Sequence, residues 1–149
     1  AVGGTGGVCG GWLERDNGGG GVVLGTKHAG GGMEYVRDGA LISAGTSKET
    51  IEGSLRRLKT DYIDLYQFHW PNRGSYMFRQ NWTYDPSGQD RSATLAHMEE
   101  TLEALQAEVK RGTIRAFGLS NESAWGTTQW VNAAERLSLI HISEPTRPY

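Results

Sequence analysis

The chain has 149 residues, which fits a single domain and is long enough to bury a hydrophobic core. Its formal net charge of −2 and pI near 6.1 exclude the clustered Lys and Arg that nucleic acid or an anionic membrane surface would require, so neither is expected as a partner. The single cysteine, Cys9, has no internal disulfide partner, no Cys/His set has metal-ligand spacing, and no apolar run reaches the roughly 18 residues of a membrane helix. The expectation is a cytoplasmic chain with no metal site.

Twenty-two glycines are the compositional anomaly, and fourteen of them precede Met33. They do not form the i, i+2, i+5 fingerprint of a dinucleotide loop, and no Gly-Lys-Ser/Thr follows as in a phosphate loop. Glycine loses the most backbone entropy on ordering, so residues 1–21 are expected to be weakly structured.

Strand and helix patterns then alternate. Val22-Val23-Leu24 leading to Thr26-Lys27 is a short β-branched run that ends on a lysine. Thr46 and Glu49 fit a capping box, and Ile51, Leu55 and Leu58 follow on one face, predicting a helix over Ser47–Leu58. From Tyr62 to Trp70 both alternating faces are largely apolar or aromatic, as in a parallel strand covered on both sides. Ile63, Leu65, Gln67 and His69 share one face, with polar Gln67 and His69 toward the carboxyl end, where α/β barrels carry their chemistry.

Residues 71–91 are polar and turn-rich, with Tyr76, Phe78, Trp82 and Tyr84 interleaved, which predicts a packed lid or pocket wall. Leu95, Met98, Leu102, Leu105 and Val109 form a helical stripe that Gly112 stops. Ile114 to Asn121 is a further strand ending in two hydrogen-bonding residues, and Ala124 to Arg136 a further helix. This order predicts an α/β fold of parallel βαβ units with right-handed crossovers.

Three separated blocks resemble the aldo-keto reductase family. They are Thr26-Lys27 at a strand end, the run from Ser54 through Asp61-Tyr-Ile-Asp-Leu-Tyr-Gln-Phe-His69-Trp-Pro71, and Gly112-Thr-Ile-Arg-Ala-Phe-Gly-Leu-Ser120-Asn121. With the aromatic loop, they are most similar to the bacterial Tas-like branch, over about Trp12 to Arg136. The resemblance implies a partial (β/α)8 TIM barrel, about strands 3 to 5 with their helices, because the whole barrel needs roughly 250 residues. It also implies NADPH as cofactor and a small-molecule aldehyde or ketone as substrate.

By the same resemblance, Lys27 and His69 match two catalytic residues. A cation at Lys27 would lower the pKa of a general-acid tyrosine, and the His69 ring N–H would donate to the carbonyl oxygen. Ser120 and Asn121 match the pair that binds the nicotinamide carboxamide. The family's tyrosine and aspartate would precede Ala1, and none of Tyr35, Tyr62, Tyr66 and Tyr76 sits in that motif. Without the family, Lys27 reads as a surface charge, His69 as a packed side chain, and Ser120-Asn121 as a helix cap.

The ends depart from the family. Leu137 to Arg147 resembles the translation of an adapter used in sequencing libraries, so 1–136 is read as the partial barrel and 137–149 as a non-native tail. His141 receives no role. Three readings remain open: part of a carbonyl-reducing enzyme, part of a non-catalytic cofactor-binding regulatory β-subunit of the same fold, or an unstable, inactive fragment.

Overall fold

The structure is a computed structural model that describes residues 4–15, 21–74, 76–77, 81–138 and 142–143. Phe78 of the aromatic loop, His141 and most of the tail after Ser138 lie outside the described residues. The elements are α1 (Gly4–Arg15), β1 (Gly25–His28), α2 (Ala44–Leu58), β2 (Ile63–Phe68), α3 (Arg91–Arg111), β3 (Ile114–Leu119), α4 (Ala124–Arg136) and β4 (Ile142–Ser143).

The strands form one parallel sheet in the order β1-β2-β3-β4. Lys27 is opposite Gln67, and Gln67 opposite Gly118, so these three share a face. The other face packs on the helices. Tyr66, Phe68, Phe117 and Leu119 meet Ile51 of α2, Met98, Leu102 and Leu105 of α3, and Trp130 of α4 in one buried cluster. The stripe expected on α3 is therefore its core face, with Leu95 and Val109 at its partly buried ends. α/β alternation around an unclosed parallel sheet is the arrangement expected from the strand and helix patterns.

Each of the later helices starts on a side-chain cap. Asp90 Oδ1 accepts from Ala93 N at 2.9 Å at the head of α3, and Ser123 Oγ from Gly126 N at 3.1 Å at the head of α4. α2 starts earlier than its sequence predicts. Its cap is Ser43, whose hydroxyl accepts from Thr46 N while Thr46 Oγ1 accepts from Ser43 N, so Thr46 is the third helical residue and Glu49 lies outside the box. Gly112 ends α3 in the left-handed conformation, φ 79°, as its position predicts.

The glycine-rich start differs from expectation: Gly4–Arg15 is helical. The physical reason lies in packing. A Cβ on Gly10 would overlap the backbone of Arg57 and Leu58, so glycine lets α1 lie directly on the end of α2, where Leu13 is buried and Glu14 pairs with Lys59. The strand β1 also begins later than predicted. Val23 is 80% exposed, and the ladder starts where Leu24 O accepts from Leu65 N.

Candidate active site

The carboxyl ends of β1, β2 and β3 bring the four candidate residues together. Lys27 is the third residue of β1, His69 follows β2, and Ser120 and Asn121 follow β3. Lys27 Nζ reaches across β2 to Ser120 Oγ at 3.4 Å. Asn121 Nδ2 donates to the His69 carbonyl at 2.7 Å and lies 3.2 Å from Ser120 Oγ. That clamp requires a backbone φ of 52° at Asn121, which asparagine tolerates better than most residues. His69 is tied on its other side, its backbone N–H donating to His28 O at 2.8 Å.

Electrostatics set the state of the histidine. Burial, and then the charge of Lys27, hold the His69 pKa below its usual value, so the ring is neutral at pH 7 and carries one N–H. A neutral imidazole beside an ammonium still has one N–H to donate to a developing oxyanion.

The surrounding loops are fixed by close contacts. Gly30 presses against the residues that follow β2, where a Cβ would overlap Trp70 O and its ring; Gly31 packs against the Leu41 side chain, and Trp70 Nε1 donates to Gly31 O at 3.1 Å. At the start of the aromatic loop, Asn72 exchanges two 2.7 Å hydrogen bonds with the backbone of Ile42. Arg73 forms an ion pair with Glu122 in which the side chains are only 10% and 3% exposed, and it stacks on Trp125. Gly126 leaves room for that pair. The base of the loop is thus a packed wall, as predicted, whereas Trp82 is 91% exposed.

Two of the cavities at this end are lined by candidate residues. The larger, about 450 Å³, lies on the helix side between Ile42, Phe68, Trp70, His97, Leu119 and Trp130. It touches Ser120 but neither Lys27 nor His69. The smaller, about 380 Å³, is lined by both of these, together with His28 and Arg37. Of the two, the smaller is the candidate site, because it is lined by both Lys27 and His69, whereas the Arg73 guanidinium in the wall of the larger is already paired with Glu122. Among the described residues no group of three His, Cys, Asp or Glu could hold a metal ion. No helix among them is long and apolar enough to cross a membrane.

Sequence reasoning missed His28, Arg37 and the Arg73–Glu122 pair. Each depends on contacts between distant positions, and no local spacing signals them.

A parallel α/β sheet with polar residues gathered at its carboxyl end defines the class of protein: the site geometry of an α/β barrel. The chain belongs to the aldo/keto reductase family, whose model matches residues 8–144. It is 37% identical over 105 residues to Protein tas of Escherichia coli strain K12, covering 68% of this chain and 28% of that protein. With the aldo-keto reductase YhdN of Bacillus subtilis it shares 43% over 130 residues, 86% of this chain and 30% of the relative. An aldo-keto reductase of Babesia bovis is 36% identical over 122 residues, 77% and 42%. The chain thus spans 28–42% of the length of these relatives.

Among solved structures, the thermostable aldo-keto reductase Tm1743, determined with the inhibitor epalrestat, superposes with a TM-score of 0.56 at 23% identity. The match covers 87% of this chain and 36% of that one. At that identity the likeness supports the fold alone.

Proposed function

We propose that this chain is part of an NADPH-dependent oxidoreductase that reduces small aldehydes or ketones, working in the cytoplasm. The observation that carries the reading is the meeting of Lys27, His69, Ser120 and Asn121 at the carboxyl ends of three adjacent strands. The donor set fits the cofactor's carboxamide: Asn121 Nδ2 is committed to His69 and Ser120, which leaves its Oδ1 to accept from an amide N–H, and Ser120 Oγ can donate to an amide oxygen. When bound, NADPH supplies the hydride.

The residues of this chain then divide the remaining work. His69 donates its N–H to the substrate carbonyl oxygen and stabilises the charge that develops there. Burial, reinforced by the Lys27 charge, keeps the His69 ring neutral, and Lys27 adds a positive field at the same point. Tyr66 takes no part as an acid. Its hydroxyl is committed to Thr50 and His28 in the helix-side core, and burial raises its pKa well above the usual tyrosine value.

That last observation favours a second reading, a cofactor binder without turnover. Fluorescence titration of the chain with NADPH, followed by turnover assays on a panel of small aldehydes, separates the two. The expected result is saturable binding that weakens about tenfold or more in Ser120→Ala and Asn121→Ala. Turnover by the chain selects the first reading. Binding without turnover, in a chain that spans 28–42% of its relatives, passes the choice to the same assay on the whole protein. Absence of binding removes the cofactor role of Ser120 and Asn121 in this chain.

A further inference from the structure

The cavity that contains Lys27 and His69 has a second polar end that carbonyl reduction does not use. Among the described residues, two buried side-chain atoms lack hydrogen-bond partners, His28 Nε2 and Arg37 Nε, and both side chains line this cavity. His28 is 1% exposed. A buried polar atom without a partner is costly, and two around one cavity point to a ligand.

Hydrogen-bond accounting fixes what each atom offers. Thr50 Oγ1 lies 2.8 Å from Thr46 O and 3.0 Å from Ser47 O, so its proton goes to a helix carbonyl. Its oxygen therefore accepts from the Tyr66 hydroxyl at 2.6 Å. With that proton committed, the Tyr66 oxygen accepts from His28 Nδ1 at 2.8 Å. A neutral imidazole has one N–H, and here it is on Nδ1. His28 Nε2 is then a bare acceptor, buried on a side chain that lines the cavity.

Arg37 supplies the opposite. One terminal nitrogen of its guanidinium is held by Ala29 O and Ala40 O, which leaves the Nε–H as a charged donor. Arg37 and Asp38 both adopt positive φ, 52° and 53°, an unfavoured backbone for non-glycine residues. Lys27 and Arg57 add positive charge to the cavity wall, and Glu49 is the acid whose charge is felt at Arg37.

We propose that His28 and Arg37 form a subsite for an oxyanion that carries its own proton, such as a phosphate or phosphomonoester monoanion. An anionic oxygen accepts from Arg37 Nε–H while the P–OH donates to His28 Nε2. Sulfate has the same shape but no proton to donate at neutral pH, so it satisfies only the arginine. The inference does not depend on carbonyl reduction, because binding is read without cofactor or turnover.

The test uses the 149-residue chain at pH 6, with inorganic phosphate, methyl phosphate and sulfate titrated separately and the His28 ring followed by nitrogen NMR. Phosphate is expected to bind about tenfold more tightly than sulfate, with His28 carrying its proton on Nδ1. If methyl phosphate matches phosphate, the site takes esters; if only phosphate binds, it takes the free ion. Arg37→Gln should weaken all the anions about tenfold. His28→Leu should abolish the preference over sulfate. Because His28 is in the core, the comparison of ligands on the unaltered chain decides the matter even if that variant fails to fold. Equal binding of sulfate and phosphate, no saturable shift with either, or a proton on Nε2 would overturn the proposal.

Discussion

The two faces of the sheet are built on opposite principles. Toward the helices, Tyr66, Phe68, Phe117 and Leu119 are buried against three helices, and even the polar atoms there are nearly all paired. On the other face, Lys27 is exposed, Gln67 and His69 are half-buried, and Ser120 and Asn121 form a polar row. One face holds the chain together and the other presents chemistry. Because alternate residues of one strand serve the two faces, a substitution at Phe68 and one at His69 should have different kinds of consequence.

The largest expected loss comes where the two faces meet. Arg73→Ala leaves Glu122 as an uncompensated carboxylate in a nearly closed site, at a cost of about 3–5 kcal/mol. Urea unfolding measures it, and the double variant Arg73→Met, Glu122→Gln should recover part of the loss. If the single variant unfolds at the parent's urea midpoint, the pair is not buried as described. Leu102→Ala, wholly on the helix side, should cost about 2–5 kcal/mol through transfer and cavity terms. A cost under about 1 kcal/mol would mean that α3 does not close the core.

Acid should act on the helix side as well. Burial and the charge of Arg37 push His28 down to about 3 from its ordinary 6.5. Between these values the unfolded chain binds a proton that the folded chain does not. The stability contribution is therefore complete above pH 6.5 and declines as pH falls toward 3, by about 1.4 kcal/mol per pH unit from this residue. His69 and His97, both also lowered chiefly by burial, act in the same direction. Unfolding midpoints from pH 7 to pH 4 would show the decline, and His28→Gln should make it shallower. An unchanged slope in that variant would place His28 in water.

A smaller effect separates the two readings of the start of α2. Ser43→Ala removes the observed cap and should cost about 1 kcal/mol, whereas Glu49→Ala, on an exposed position, should stay within about 0.5 kcal/mol. The reverse order would restore the box predicted from Thr46 and Glu49.

The helix-side face was the legible one. The α3 stripe and the stop at Gly112 are local patterns, and each reappears in the core or at a helix end, whereas β2, which reads as covered on both faces, has Leu65 and Gln67 only partly buried. The cap of α2 was misplaced because Ser43 and Thr46 are both competent caps and the Glu49 signal favoured the wrong one. α1 was missed for a different reason. Its glycines argue against helix locally, but close approach to Arg57 and Leu58 selects one of them in three dimensions. At the site, Lys27, His69, Ser120 and Asn121 were found through family motifs, whereas His28–Tyr66 joins positions 38 apart in sequence and Arg73–Glu122 positions 49 apart. No periodicity carries such contacts.

The smallest expected change in stability is also the sharpest contrast between the faces. Lys27→Met removes an exposed charge from the open face and buries nothing, so its unfolding free energy should stay within about 0.5 kcal/mol of the parent. The same substitution should still be felt 42 residues away in sequence, at His69. The Lys27 charge is one of two causes that lower the His69 pKa, so its loss should let that pKa rise while burial continues to hold it below the usual value. A proton NMR titration of the His69 ring reads this directly. An upward shift with stability unchanged means that the lysine acts on the site and not on the fold. No shift would separate Lys27 from His69 and remove the physical link between the two candidate catalytic residues.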